Sequence, residues 1–254
     1  MAHYVVTGGA SGIGQATTER LRNDGHVVTV VDLEAGDVTA DLSTARGRDH
    51  AVHHIIEATA TGLDGLVTCA AVHPDRGDDQ LVEVNHHGTR HVVQELQPHL
   101  SGRSSSVVVI ASHTAVLASD PDLAEAFATD DAGAISSGLD GNGVRTYASI
   151  KRGHMLWVRR NAARWADHDI RLNTVVPGYI RTPMTAYAQR NAANPEALDA
   201  FAAQIPIGRR AGNPEDVAGA IAFMLSPDAR FVCGASLFVD GGQDTVLRPT
   251  HDDF

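Results

Sequence analysis

Tyr147 and Lys151 stand four positions apart, in Tyr147-Ala148-Ser149-Ile150-Lys151, and together they could move a proton. A free phenol titrates near ~10, too high for ready exchange at neutral pH. A cation one helical turn away favours the phenolate and draws that value down. Positions i and i+4 of a helix share a face, so the spacing supplies the geometry wherever the segment is helical. A second constellation lies near the start of the chain. Thr7-Gly8-Gly9-Ala10-Ser11-Gly12-Ile13-Gly14 follows an apolar run. Gly8, Gly12 and Gly14 let a strand turn tightly into a helix, whose N-terminal N–H groups suit an anion such as a pyrophosphate. Asp32 ends the next apolar run. A carboxylate there can accept both ribose hydroxyls of an adenosine and would repel a 2′-phosphate, which favours NAD over NADP. No arginine follows it, since Leu33-Glu34 come next. Each motif alone also has a plainer account, as a tight strand–helix turn, a strand-end cap and a solvated helix face.

Other residues invite different chemistry. There are 14 histidines. His87 and His91 are spaced i, i+4, with His86, His53 and His54 not far off in sequence. No third ligand with recognisable spacing appears and no His-Glu-x-x-His, so these are expected to be helix-surface histidines and no metal is expected. His113, next to Ser112, could rim a pocket and add pH dependence.

The elements that must position these groups follow from the pattern of apolar runs. Strands are expected at 3–7, 27–32, 38–40, 65–69, 106–111, 171–176 and 236–239. Several are nearly continuous Val, Ile and Leu, as suits a parallel sheet covered on both faces. Helices are expected at 13–23, 45–60, 81–100, 147–165 and 214–225. Val217, Ile221, Met224 and Leu225 form one stripe on the last. The alternation implies right-handed crossovers and an α/β fold, a single-domain Rossmann fold with a doubly wound seven-stranded parallel sheet. One domain is expected over 1–254. The stretch 113–145 breaks the rhythm as an insertion, with six acids against Arg145 alone, or 1 − 6 = −5. Asp120-Pro121 reads as an N-cap and first helical residue, opening a short helix to about Thr129. Asp140-Gly141-Asn142-Gly143 is turn chemistry.

The 254 residues are 43% hydrophobic and 20% charged, with a net charge of −11 and a pI of about 5.6. That fits a soluble globular protein with an ample core. Without a basic stripe, nucleic acid and anionic membrane are poor partners. No signal peptide is recognised, and no apolar run approaches the ~18 residues of a membrane span. Cys69 and Cys233 are expected to be reduced core residues, and the protein cytoplasmic.

Taken together, these residues resemble the short-chain dehydrogenase/reductase family over nearly the whole chain. Thr7-Gly8-Gly9-Ala10-Ser11-Gly12-Ile13-Gly14 is similar to its TGxxxGxG, Asp41-Leu42 to its adenine-contacting pair, Pro177-Gly178-Tyr179-Ile180-Arg181-Thr182 to its PGxxxT, and Asp240-Gly241-Gly242 to its C-terminal signature. Asn85 and Ser112, 112 − 85 = 27 positions apart, stand where the family keeps a catalytic asparagine and serine. Where the family has Asn-Asn-Ala-Gly, this chain has Cys69-Ala70-Ala71-Val72. Tyr147 follows Ser112 by 35 positions, more than in an ordinary member, and the insertion accounts for the difference. That insertion, the stretch Ala40-Asp41-Leu42-Ser43-Thr44-Ala45 and the ending Arg248-Pro249-Thr250 also resemble a bacterial branch, the 3-alpha-hydroxysteroid dehydrogenases/carbonyl reductases.

The resemblance implies catalytic roles for Asn85, Ser112, Tyr147 and Lys151. Tyr147 would exchange a proton with the substrate hydroxyl, and Lys151 would lower its pKa and bond the nicotinamide ribose. Ser112 would donate to the substrate oxygen, and Asn85 would hold a water linking Lys151 to solvent. As a helix N-cap, Asn85 has a structural role open to it as well. NAD would lie along Gly8, Ser11, Gly12, Ile13, Gly14, Asp32, Leu33, Asp41, Leu42, Ala70 and Ala71, and then along Tyr147, Lys151, Pro177, Gly178, Ile180 and Thr182. Thr182 could equally cap the helix after Pro183. The segment 182–205, with Met184, Tyr187, Leu198, Phe201 and Ile205, would cover a small hydrophobic alcohol or ketone, or else form a core-facing helix. Trp157 and Trp165 belong to core or interface. The implied function is NAD-dependent interconversion of a secondary alcohol and a ketone, on hydroxysteroids or other bulky carbonyl compounds. A 3-oxoacyl-carrier-protein reductase would want NADP and a basic docking patch, and an NAD-sensing module without catalysis need not keep Ser112, Tyr147 and Lys151. A homodimer made by 214–225 and the last strand is expected, with a tetramer as the alternative.

Overall fold

Among the described residues, seven short strands run parallel in one sheet: β1 (His3–Thr7), β2 (Val27–Asp32), β3 (Val38–Thr39), β4 (Gly65–Thr68), β5 (Ser105–Ile110), β6 (Ile170–Pro177) and β7 (Ser236–Val239), in the order β3-β2-β1-β4-β5-β6-β7. The computed structural model describes residues 1–100, 102–191 and 195–250. Every residue of β4 and β5 is buried, which is why these strands read as apolar runs rather than alternating ones. Their few polar groups are satisfied: Ser105 Oγ donates to Leu63 O at 3.1 Å and Ser106 Oγ to Met224 O at 2.9 Å.

The two faces carry separate cores. One packs Val5, Leu66, Val107 and Val109 against Ala51 and Ile55 of the helix Ala45–Ala58, Val92 and Val93 of Thr89–Glu95, and Trp157 and Trp165 of Gly143–Ala166. The other packs Val6, Val67, Val108 and Val175 against Leu21 of Gly12–Asn23 and against Val217, Ile221, Met224 and Leu225 of Pro214–Leu225. Burying one such aliphatic side chain contributes about 1.5–3 kcal/mol. β1 pairs with β2 on one side and β4 on the other, so the strand order reverses at β1 and β4, where a crevice opens beyond the C-terminal strand ends. Among the described residues no helix is long and apolar enough to cross a membrane.

Several elements differ from expectation. The helical stretch expected at 81–100 starts at Asp78 and is π-helical over Leu81–Gly88. It breaks after Glu95, near Pro98, which has no backbone N–H to offer. The helix expected from 147 starts at Gly143, capped by Asn142, whose side chain accepts from Arg145 N at 3.2 Å. Tyr147 therefore lies inside the helix. Cys233 is exposed in the loop before β7 rather than in the core.

The insertion is ordered. Its expected helix is Pro121–Thr129, capped by Asp120, whose carboxylate accepts from Leu123 N at 2.9 Å. A second helix, Ala132–Gly138, follows under an Asp131 cap. Leu123, Ala126, Phe127 and Ile135 pack on Leu81 and Ile150 in a third apolar cluster. Arg145 holds both ends, bonding Asp120 Oδ2 at 3.0 Å, Gly138 O at 2.6 Å and Asp140 Oδ1 at 3.1 Å. The insertion thus covers a face of the Gly143–Ala166 helix.

Candidate active site

The crevice is a cleft of about 420 Å³ that gathers groups distant in sequence. At one end the turn after β1 is shaped by its glycines. Gly8 sits at φ +66°, and a Cβ on it would lie 2.6 Å from Ala70 N. A Cβ on Gly14 would lie 2.1 Å from Gly8 O. Ser11, the residue before the helix Gly12–Asn23, makes no side-chain cap bond, so the helix's first N–H groups keep no such partner. Asp32 ends β2 beside this turn. Its Oδ2 accepts from Ala10 N at 3.0 Å and its Oδ1 from Leu33 N at 2.8 Å. A cradle that admits no Cβ, a helix N-terminus without a side-chain cap and a carboxylate at the second strand end together suit the pyrophosphate and ribose of a dinucleotide.

Gly8, Ser11, Gly12, Ile13, Gly14, Asp32, Leu33, Asp41, Leu42, Ala70, Ala71, Pro177, Gly178, Ile180 and Thr182 all line this cleft, with Ser112, Tyr147 and Lys151 at its other end. Asp41 is exposed and forms an Asx-type turn, accepting from Ser43 N at 2.9 Å and Ser43 Oγ at 2.6 Å, which lowers its pKa. Thr182 caps the next helix, its Oγ1 accepting from Thr185 N at 3.2 Å, while it also faces the cleft. Asn85 is not part of the lining. It is fully buried in the π-helical stretch, far from an N-cap, and its side chain grips Val72: Oδ1 accepts from Val72 N at 2.7 Å and Nδ2 donates to Val72 O at 3.1 Å.

Ser112 is positioned by a neighbour the sequence did not flag. Thr114 donates to Ser112 Oγ from its hydroxyl at 3.0 Å and its amide at 3.3 Å. The only signal for it was a hydroxyl residue two positions on, which is common in loops. Ser112 in turn hydrogen-bonds Tyr147, which lowers the Tyr147 pKa, but desolvation is the larger effect and pushes the phenol up to about 12. Lys151 is bonded elsewhere. Its Nζ lies 5.6 Å from the Tyr147 ring centre and donates to Ile110 O at 2.8 Å. Burial pushes Lys151 down to about 8. The expected lowering of the Tyr147 pKa is therefore corrected for this state: burial disfavours the phenolate and the ammonium alike and leaves the phenol above its ordinary value, and the ammonium bonds a carbonyl.

His113 is buried and lines the cleft, its N–H donating to Pro177 O at 2.9 Å and its ring stacking on Phe201 with centres 6.0 Å apart. Desolvation lowers its pKa, against the pull of Asp240 and Asp244. Phe201 also meets Tyr179 edge-on at 6.1 Å. Met184 and Tyr179 line the cleft, and the helix Pro183–Asn191 has no buried residue, so it is no core-facing helix. Tyr187 meets the His73 ring at 5.6 Å and hydrogen-bonds Asp75. Residues 192–194 of the expected covering segment lie outside the described residues.

The histidines need one correction. His53 is exposed, but His86 is fully buried rather than on a helix surface. His86, His87 and Asp130 bring donor atoms within 4.8 Å of one another. His86 Nε2 is bonded to Asp130 Oδ1 at 2.7 Å, and the nearby Arg90 guanidinium adds positive charge where a dication would sit. We read the group as a hydrogen-bond cluster.

Comparison with known proteins agrees with this arrangement. Residues 2–121 match the family model described as short chain dehydrogenase, and residues 132–244 match the one described as Enoyl-(Acyl carrier protein) reductase. The gap between them falls in the insertion. The 3-alpha-hydroxysteroid dehydrogenase/carbonyl reductase of Comamonas testosteroni is 37% identical, with 98% of this chain and 99% of that protein covered. The crystal structure of the 3-alpha-hydroxysteroid dehydrogenase from Pseudomonas sp. B-0831 complexed with NADH superposes with a TM-score of 0.88 at 33% identity, covering 98% of this chain and all of that one. A 3-oxoacyl-(acyl-carrier-protein) reductase of Thermotoga maritima is 28% identical, over 94% of this chain and 96% of that protein. By these relatives, and by the motifs gathered in its cleft, the chain belongs to the short-chain dehydrogenase/reductase family of oxidoreductases.

Proposed function

We propose that the protein is an NAD-dependent oxidoreductase that interconverts a secondary alcohol and a ketone, with a hydroxysteroid or another bulky hydrophobic carbonyl compound as substrate. The observation that carries this reading is the meeting of Ser112, Tyr147 and Lys151 at one end of a cleft whose other end holds Asp32 and the glycine turn. Gly8, Ser11, Gly12, Ile13 and Gly14 would hold the pyrophosphate, Asp32 and Leu33 the adenosine ribose, Asp41, Leu42, Ala70 and Ala71 the adenine side, and Pro177, Gly178, Ile180 and Thr182 the nicotinamide end. Asp32 favours NAD, because a 2′-phosphate beside its carboxylate would meet a like charge. When bound, the dinucleotide supplies the carbon that accepts or donates hydride. The chain's own residues handle the proton. A phenol held at about 12 stays protonated at neutral pH and serves as general acid to the carbonyl oxygen in reduction. Ser112, held by Thr114, is aimed to stabilise charge on that oxygen. Lys151 belongs to the nicotinamide ribose and the proton exchange behind Tyr147. Asn85, through its grip on Val72, keeps that part of the cleft lining in shape.

The apolar lining from Val144, Tyr179 and Met184 favours a bulky hydrophobic ligand. The reading includes a cytoplasmic enzyme and a homodimer. With a face of the Gly143–Ala166 helix covered by the insertion, the exposed Phe223, Phe231, Val246 and Leu247 supply the apolar surface for association through Pro214–Leu225 and the last strand. The test is a dehydrogenation screen with NAD and with NADP across 3-hydroxysteroids, terpenoid and aryl secondary alcohols, followed at the absorbance of the reduced nicotinamide. NAD-dependent turnover of a bulky secondary alcohol is expected. Turnover confined to NADP, or to acyl thioesters, would overturn the reading.

A further inference from the structure

Between the helix Gly143–Ala166 and the π-helical stretch lies a group of buried polar side chains that the chemistry above does not use. His154 is fully buried, and neither ring nitrogen has a partner. His86 is fully buried too; its Nε2 bonds Asp130 at 2.7 Å, while its Nδ1 has no partner. Arg90 packs 4.2 Å over the Trp157 ring and leaves Nε and Nη1 unpartnered. The two imidazoles lie near parallel, at 19°, with centres 6.1 Å apart. An unpaired buried polar group costs about 1–3 kcal/mol. Five such atoms gathered together are tolerated when ordered water completes their hydrogen bonds.

The position of the group gives it a use. His154 follows Lys151 by three residues, a spacing that puts both on one helix face. His86 follows Asn85 in the π-helical stretch. Asp130 ends the insertion helix at φ +60° and is 45% exposed at its side chain. Lysine, two buried imidazoles and a half-exposed carboxylate therefore lie in order from the cleft to the surface.

We propose that His154, His86 and Asp130 form a hydrated proton route between Lys151 and solvent, with the insertion supplying its mouth. The proposal rests on the reading of Tyr147 and Lys151 as a proton-exchanging pair. Each alcohol oxidised releases one proton to that pair, and the proton must reach solvent before the next turnover. Water carries it from Lys151 to His154 and on to His86 Nδ1. His86 then gives up the proton on Nε2 to Asp130, which passes it to bulk water. Return of the ring to its first tautomer completes the cycle, and reduction runs the route backwards. His154 faces Lys151, His86 and Arg90; His86 faces Asp130, His87 and Arg90. Burial disfavours a resident imidazolium on both rings and the neighbouring cations add to it, while Asp130 draws the proton towards His86, so a proton passes through rather than stays.

The experiment is steady-state alcohol oxidation with NAD, in H2O and D2O, on the wild-type protein and on Asp130→Asn, Asp130→Glu and His154→Phe. Asparagine still accepts the His86 bond but cannot take a proton. The route predicts kcat lowered roughly fivefold or more in Asp130→Asn and His154→Phe, with unchanged KM, a larger solvent isotope effect, and recovery in Asp130→Glu. Asp130→Asn with wild-type kcat and isotope effect would overturn it, as would equal slowing by asparagine and glutamate. Asp130 is half-exposed, so its variants decide the matter even where His154→Phe does not fold. A wild-type protein without NAD-dependent alcohol oxidation would overturn the parent reading, and the route with it.

Discussion

Asp32 combines two tasks in one carboxylate. Its oxygens hold the Ala10 and Leu33 amides, and in the proposed function the same charge would guard the site of a 2′-phosphate. Asp32→Ala is expected to shrink the preference for NAD over NADP by about 10–100-fold, or about 1.4–2.8 kcal/mol, in the ratio of kcat/KM values. An unchanged ratio would move cofactor choice elsewhere. Residue types and spacings that need only local geometry were legible in the sequence: the glycine turn, the strand-end aspartate, and the four-residue interval from Tyr147 to Lys151. The electrostatic balance was not. Spacing suggested an ammonium acting on a phenol, whereas burial sets both groups and Lys151 bonds the Ile110 carbonyl. Desolvation depends on what the rest of the fold brings near, and a window of five residues does not contain that. The same holds for Asn85, whose partner Val72 lies 13 positions back, and for His86, buried by an insertion that begins well downstream.

At the scale of elements, the strands were legible because a sheet covered on both faces demands apolar runs, and those runs stand out. Helix starts were less so. Gly143-Val144-Arg145 carries no strong helix signal, and it is Asn142 and the Arg145 bonds to the insertion that extend the helix back to Gly143. The helix Ala132–Gly138 was missed because its two glycines and two serines read as a loop; Asp131 and packing of Ile135 hold it. The docking of the insertion is testable at one position. A Cβ on Gly153 would lie 2.6 Å from Phe127 Cβ and 3.0 Å from Ala124 O. Gly153→Ala is expected to destabilise by about 1–3 kcal/mol through overpacking, outweighing the gain in helix propensity. Asp120→Ala, which removes a cap and the Arg145 contact, is expected to cost about 0.5–2 kcal/mol. Thermal unfolding measures both, and unchanged midpoints would mean that the insertion docks only loosely.

For the whole molecule, pH becomes a stability variable through buried histidines. His86, His113 and His154 all have pKa values lowered from 6.5, chiefly by desolvation. Above 6.5 the imidazoles are neutral in both folded and unfolded chains. As pH falls below 6.5 the unfolded chain takes up protons that the folded chain refuses, so stability declines, by at most about 1.4 kcal/mol per pH unit for each group. Urea unfolding between pH 5 and 8 should show this decline, and His154→Phe should flatten it; a midpoint independent of pH would contradict the burial of these rings. The association state is a second property of the whole. Light scattering should report a dimer, and a stable tetramer would mean that the insertion leaves the long helix free to pair. The most direct test of the account is single-turnover oxidation of a secondary alcohol by Tyr147→Phe, with dinucleotide affinity measured on the same sample by fluorescence. The account predicts affinity near that of the wild type and hydride transfer slowed by about 10²–10⁴-fold. Transfer at the wild-type rate would contradict it.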